Sequence, residues 1–260
     1  MSEPVLVSSA NGVAEIRFNR PDRLNALDVE LAEGFAAAVA RVTADPAVRV
    51  VVVSSEGRAF VAGGDLTHFH RAADKPAAAA ELIGPIHAAL KALAGSPQIV
   101  IGSLKGAVAG GGMSLALGFD LAIAADDATF NLAYARVAAS PDCGGSWALP
   151  RLVGFRRALE IALLSETIDA AGALRLGLVN RVVPRAELEA ETGKLAARLA
   201  AGPAVSHGNI KALMRGSSER DYAAQLDAEA RAFGECAATA DFAEAVDAFL
   251  GKRKPLFTGR

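Results

Sequence analysis

Three consecutive glycines, Gly110-Gly111-Gly112, stand between the apolar run Gln98 to Leu104 and a second apolar segment, Asp120-Leu-Ala-Ile-Ala124. They strip the side chains from a strand-to-helix junction, within Gly106-Ala-Val-Ala-Gly110-Gly111-Gly112-Met113-Ser114. At such a junction backbone N–H groups can approach a ligand and point at it together with the positive end of the new helix. That geometry holds an oxyanion, and it serves equally to pack a helix closely on a sheet.

The flanking chain predicts an α/β fold. Val5 to Ser8 and Val13 to Phe18 surround Asn11-Gly12, a hairpin dipeptide. Asn19 to Ala26 is a turn-rich loop, and Asp28 is placed to cap a helix with Leu31, Phe35, Val39 and Val42 on one face. Asp45-Pro46 ends that helix, and Val48 to Val53 has the unbroken β-branched character of a strand covered on both faces. Strand, helix and strand in this order imply a parallel crossover. Phe60-Val-Ala-Gly-Gly-Asp65 then repeats the motif of a glycine loop after a strand, beside an expected helix start. Pro76 to Ala94 reads as a long alanine-rich helix, Leu121 to Ala124 and Thr129 to Leu132 as short strands, Phe155 to Leu164 and Ala170 to Leu176 as helices, and Leu178 to Val183 as a strand or edge segment. From Glu187 on, helix formers dominate. Pro203 and Gly216 to Ser218 divide them into about three helices, the last (Asp241 to Leu250) striped with Phe242, Val246, Phe249 and Leu250 and expected to dock within the chain or on another subunit.

With 260 residues, 52% of them hydrophobic and 22% charged, the chain can bury a large core. A net charge of −2 and the lack of basic clusters disfavour nucleic acid as a partner. No apolar run is read as reaching the roughly 20 residues of a membrane span, and Met1 to Ala10 lacks the regions of a signal peptide, so a cytoplasmic protein is expected. Cys143 and Cys236 form no metal-type pair, which fits a reducing compartment.

The glycine loops match neither standard phosphate cradle. The dinucleotide fingerprint fails where Leu115 occupies its third glycine, and no Gly-Lys-Ser/Thr is present. Gly112-Met-Ser114-Leu-Ala116 falls one glycine short of a nucleophile elbow, and only His207 follows downstream. His68 and His70 have a spacing metals can use, but no further ligand joins them, so no metal site is expected.

Asn25-Ala-Leu, Phe60-Val-Ala-Gly-Gly-Asp-Leu66, Lys105-Gly-Ala-Val-Ala-Gly-Gly-Gly112, Phe119-Asp-Leu-Ala-Ile-Ala124, Ser140-Pro-Asp142 and Leu149-Pro-Arg-Leu-Val-Gly154 together resemble the crotonase (enoyl-CoA hydratase/isomerase) superfamily. The likeness runs in order from about residue 5 to Phe249-Leu-Gly-Lys-Arg-Lys-Pro-Leu-Phe257. The resemblance implies a spiral of ββα units over residues 1–190, carrying the thioester site, and a helical oligomerisation segment over 191–260 that forms a homotrimer or a dimer of trimers. It implies an acyl-CoA thioester as substrate, with coenzyme A as part of that substrate and no separate cofactor, and no membrane partner. The thioester oxygen would sit between the N–H groups of Gly64 and Gly111. Arg23, Leu24, Ala26, Ala62, Gly64, Asp65 and Leu66 would hold the CoA moiety, and Phe249 and Lys252 would approach it from the C-terminal helix. The segment Thr67 to Ala80 and the surroundings of Tyr134 and Trp147 are expected to shape the acyl pocket.

Hydratases of that family use two glutamates, and their positions fall here on Ser114 and Tyr134. Neither is a carboxylate base near neutral pH. The remaining acid, Asp142, matches the aspartate of isomerase-type members, including the ring-epoxide isomerases of phenylacetyl-CoA breakdown. The resemblance therefore favours an isomerase with Asp142 as proton shuttle. Hydration by Asp142 alone, a non-catalytic acyl-CoA binder, and an aryl-CoA dehalogenase using Asp142 and His87 remain as alternatives.

Overall fold

A computed structural model describes residues 3–259. β1 (Val5–Ala10) and β2 (Val13–Phe18) form an antiparallel hairpin, and both residues of its Asn11-Gly12 turn take positive φ. α1 (Val29–Ala44) starts where the Asp28 carboxylate accepts the Leu31 N–H at 3.0 Å, a cap worth about 1 kcal/mol. Its buried face carries Leu31, Phe35, Val39 and Val42. β3 (Val50–Ser55) begins two residues later than the apolar run suggests, because the Val48 N–H is spent on Asp45 O in the turn. It is buried on both faces: Val51 and Val53 join the main core, while Val50 and Val52 join a separate cluster with Ala196 and Ala200.

The chain continues through α2 (Leu66–Arg71), α3 (Lys75–Gly95), β4 (Ile99–Leu104), β5 (Ala107–Ala109), α4 (Gly111–Gly118), β6 (Leu121–Ala125) and β7 (Thr129–Asn131). Then follow α5 (Gly145–Val153), α6 (Phe155–Leu164), β8 (Ile168–Asp169), α7 (Ala170–Arg175) and β9 (Arg181–Val183). The C-terminal part comprises α8 (Leu188–Ala200), α9 (Ala204–Gly216), α10 (Tyr222–Ala237) and α11 (Ala240–Leu250). A six-stranded sheet has the order β1-β2-β3-β4-β6-β9, parallel beyond the first hairpin. A three-stranded sheet has the order β5-β7-β8, and the isolated parallel bridges Val61–Val108 and Leu27–Gly64 extend it. Successive units thus place one segment in each ladder and a helix outside them, which is the ββα spiral.

Several local expectations change. β5 and α5 went unread because Ala107–Ala109 is too short to show a period and Pro150 lies inside α5. Four C-terminal helices stand where about three are expected, and the last starts within one residue of the expected Asp241, where Thr239 Oγ1 caps α11 by accepting the Phe242 N–H at 3.1 Å. α8 covers the outer face of the large sheet through Ala196 and Ala200. In α11, Phe242 packs edge-to-face on Phe233 of α10, with ring centroids 5.9 Å apart, but Phe249 is 83% exposed. Docking within the chain therefore covers only part of the apolar stripe. At 21 residues and mean hydropathy 1.2, α3 is long and apolar enough to cross a membrane, where the sequence reading found no such run. In the fold, its Ala78, Leu82, Ile86, Ala89 and Leu93 are buried in the protein.

Candidate active site

The loop after β3, the start of α4, the turn after β7 and the loop before α5 converge on one cavity of about 690 Å³. Ala62, Gly63, Gly64, Gly110, Gly111, Tyr134, Asp142 and Cys143 are among its lining residues. Most of the remaining wall is apolar and comes from Leu66, Phe69, Ala79, Leu82, Ile83 and Ile86. Among the described residues that line it, Asp142 is the one carboxylate, and no lysine, arginine or histidine joins it.

Backbone geometry brings the two glycine loops together. Gly110 adopts φ 52° and ψ −123°, a conformation open to glycine, and its N–H donates to Asn131 O at 2.8 Å. A β-carbon on Gly112 would come within 2.6 Å of Val61 Cβ, so α4 can lie this close to the first loop only without a side chain there. Gly111 occupies the first turn of α4, where N–H groups have no partner inside the helix. A β-carbon built on it would stand 3.8 Å from the Tyr134 hydroxyl and 3.9 Å from Asp142 Oδ1. Gly64 sits opposite Leu27 in a parallel bridge and faces Phe69 and Leu82.

Tyr134 lies in a 3-10 turn, Ala133–Val137, immediately after β7. Its hydroxyl donates to Asp142 Oδ1, and Ser114 Oγ stands 3.1 Å from the same hydroxyl. Burial, reinforced by the Asp142 charge, pushes the Tyr134 phenol above its ordinary value, so it stays protonated. Burial and then Asp142 push the Cys143 thiol up in the same way. The Asp142 loop is pinned by Gly145 N–H on Asp142 O at 3.0 Å and by the Cys143 N–H donating to His87 Nε2 at 3.2 Å.

The site residues expected from the sequence fall into groups. Ala62, Gly64, Leu66, Gly111, Tyr134 and Asp142 line the cavity, whereas Ser114 is fully buried behind it and reaches it through Tyr134. Arg23, Ala26 and Asp65 line an adjoining polar cleft with Thr67, His68 and Arg71. Arg23 pairs with Asp65 at 3.5 Å. Although partial burial of Asp65 acts the other way, its bonds from Thr67 and the nearby Arg23 and Arg20 hold its carboxyl below the ordinary range. Leu24 anchors this loop, its carbonyl accepting the Ala62 N–H at 3.1 Å. Phe249 and Lys252 are exposed and line neither space. Trp147, expected near the acyl pocket, lines a different groove under the Arg151 guanidinium, 4.0 Å from its ring. His68 Nε2 lies 3.1 Å from Ala78 O, and among the described residues no group of three or more His, Cys, Asp or Glu forms a metal-type cluster. Sequence reasoning missed the α3 wall beyond Ala80 (Leu82, Ile83 and Ile86); its signal was the i, i+4 spacing of Leu82 and Ile86 on the buried face of that helix.

The family model for enoyl-CoA hydratase/isomerase matches residues 8–260. The chain is 35% identical over 264 residues to the 1,2-epoxyphenylacetyl-CoA isomerase of Escherichia coli, covering 100% of both proteins. It is 32% identical over 259 residues to the crotonyl-CoA hydratase of Syntrophomonas wolfei, covering 99% of each. The crystal structure of the enoyl-CoA hydratase of Bacillus anthracis superposes with a TM-score of 0.93 at 29% identity, covering 99% of this chain and 100% of that one.

Proposed function

The chain belongs to the enoyl-CoA hydratase/isomerase family of enzymes acting on CoA thioesters, and from that premise we propose that it is an isomerase in which Asp142 moves the proton. The observation that carries this reading is that, among the described residues, Asp142 is the single carboxylate lining the cavity, while Ser114 and Tyr134 are hydrogen-bonded directly to one another at 3.1 Å. Hydration by a carboxylate pair needs two acids flanking a water. Here those two positions present hydroxyls in contact.

In the proposed reaction the thioester oxygen is received by the N–H groups of Gly64 and Gly111. Asp142 takes a proton from a carbon of the acyl group, and negative charge moves onto the thioester oxygen, where preorganised donors stabilise it. The resulting carboxylic acid returns the proton to another carbon. Double-bond position changes, and no water is consumed. One base suffices because it acts in turn as base and acid. This chemistry calls for no metal or redox group, and coenzyme A enters with the substrate. Arg23, Leu24, Ala26 and Asp65 would hold the CoA moiety in the polar cleft, with Ala62 and Leu66 at its junction with the cavity. Phe249 and Lys252 would reach CoA from a second copy in a homotrimer or dimer of trimers, a reading supported by the 83% exposure of Phe249. The free thiols Cys143 and Cys236 fit the expected cytoplasmic setting.

Dehalogenation would ask His87 to act as a base in the cavity. Its Nε2 instead accepts the Cys143 N–H, and His87 is not among the lining residues. Incubation of the enzyme with a panel of enoyl- and arylacetyl-CoA esters in deuterated water tests the proposal. Products with no water added, heavier only by the deuterium they carry and with a shifted double bond, support it. Addition of one water would make the enzyme a hydratase, unchanged thioesters would make it a binder, and halide release from a halobenzoyl-CoA would restore His87 as base.

A further inference from the structure

The two residues that stand where a hydratase carries its acids are joined in a single hydrogen-bonded chain to the residue that remains. An ionised carboxylate can only accept, so the bond between Tyr134 and Asp142 takes the one proton of the phenol. The Ser114 hydroxyl, 3.1 Å away, must then donate to the Tyr134 oxygen. Direction is thereby fixed along the whole chain, from Ser114 through Tyr134 to Asp142 Oδ1.

Local structure is shaped around this chain. Ser114 is fully buried in α4, and a β-carbon on Gly145 would collide with its Oγ and lie 3.1 Å from its Cβ, so α5 starts on a glycine that leaves the serine room. The tyrosine turn is tied to the glycine loop by the Gly110 N–H bond to Asn131 O. Asp142 Oδ1 accepts the Tyr134 hydroxyl. The other titratable groups near the carboxylate are Cys143 on its own loop and His87 from α3, the latter bound to the Cys143 N–H.

We propose that Ser114 and Tyr134 are positioning residues, a two-hydroxyl relay that fixes the orientation of the Asp142 carboxylate. The inference rests on the assignment of Asp142 as the proton shuttle. A carboxylate held at one oxygen by a buried donor keeps a single orientation, so the base meets the substrate already aligned. Cooperative polarisation makes the serine contribute through the tyrosine.

The test is the steady-state kinetics of β,γ-enoyl-CoA isomerisation by the full-length enzyme and its variants. Tyr134→Phe lowers kcat about tenfold, with KM held within about twofold. Ser114→Ala lowers kcat by less, and Ser114→Ala added to Tyr134→Phe has no further effect, because its influence passes through the phenol. A kcat unchanged in Tyr134→Phe, or a KM that rises in step with the loss, overturns the relay, and so does an additive double variant. If Tyr134→Phe does not fold, as judged by its thermal melt, the Ser114→Ala kcat decides alone. Asp142→Asn separates the two readings: a relay failure beside an inactive Asp142→Asn leaves the shuttle standing, whereas an active Asp142→Asn removes the shuttle itself.

Discussion

Leu27 spends both backbone hydrogen-bonding groups on the strand that carries Gly64: its N–H donates to Gly63 O and its carbonyl accepts the Asp65 N–H, each at 2.8 Å. In parallel pairing the residue opposite such a partner turns its own groups the other way. The Gly64 N–H is therefore directed away from Leu27, and Gly64 is exposed at the cavity wall. The Leu27 side chain, meanwhile, abuts Gly111, so one residue braces both glycines.

That bracing predicts the effect of Gly111→Ala. The new β-carbon would lie 2.8 Å from Leu27 Cδ1, and relief of the contact shifts the start of α4 and the N–H it presents. If Gly111 is an oxyanion donor, kcat falls about a hundredfold. Steady-state kinetics beside circular dichroism check this; a folded variant with native kcat would discard Gly111 as donor.

For Asp142→Asn, the proposed mechanism predicts loss of turnover by a factor on the order of a thousand with little change in KM. Asparagine keeps the volume of the side chain and loses the base. Deuterium wash-in at the acyl carbons should disappear with turnover, since both depend on the same proton transfer.

Alkaline pH provides a stability test at Cys143. Its thiol has an ordinary value of 9.0, and burial, then the Asp142 charge, raise it in the folded chain. The unfolded chain thus ionises first. Stability from this group is complete below about pH 9 and is lost as pH rises toward the folded value, at about 1.4 kcal/mol per pH unit. Cys143→Ala lacks this loss, so urea unfolding at about pH 8 and about pH 10 should show the native protein losing ground to the variant.

Lys211 provides a test far from the chemistry. Its ammonium donates to Leu93 O and Gln98 O at 2.7 Å each and pairs with Asp120 at 3.0 Å. Lys211→Met leaves Asp120 with Arg215 and Leu93 O with the Ser96 hydroxyl, but orphans the Gln98 carbonyl. A loss of about 2–3 kcal/mol is expected in denaturant unfolding, with kcat unaltered below the melting transition.

Sequence alone determined the elements whose physics is local. Asn11-Gly12 requires a hairpin, Asp28 caps a helix, and the Val48 to Val53 run marks a strand buried on both faces, because turn conformation, capping and hydrophobic period act within a few residues. Ordered motifs, from Asn25-Ala-Leu to the C-terminal Phe249, carried the family. An element with weak local signal was decided by tertiary structure: β5 exists because Ala107–Ala109 pairs with Thr129–Asn131 of β7. The glycine run was legible as a place where donors can gather, but its neighbours in space were not. Ser114, Tyr134 and Asp142 lie on α4, on the turn after β7 and on the loop before α5, and only the spiral brings their hydroxyls and carboxylate into one chain. Hydrogen bonds depend on ångström-scale placement of groups distant in sequence, and that placement belongs to the folded chain.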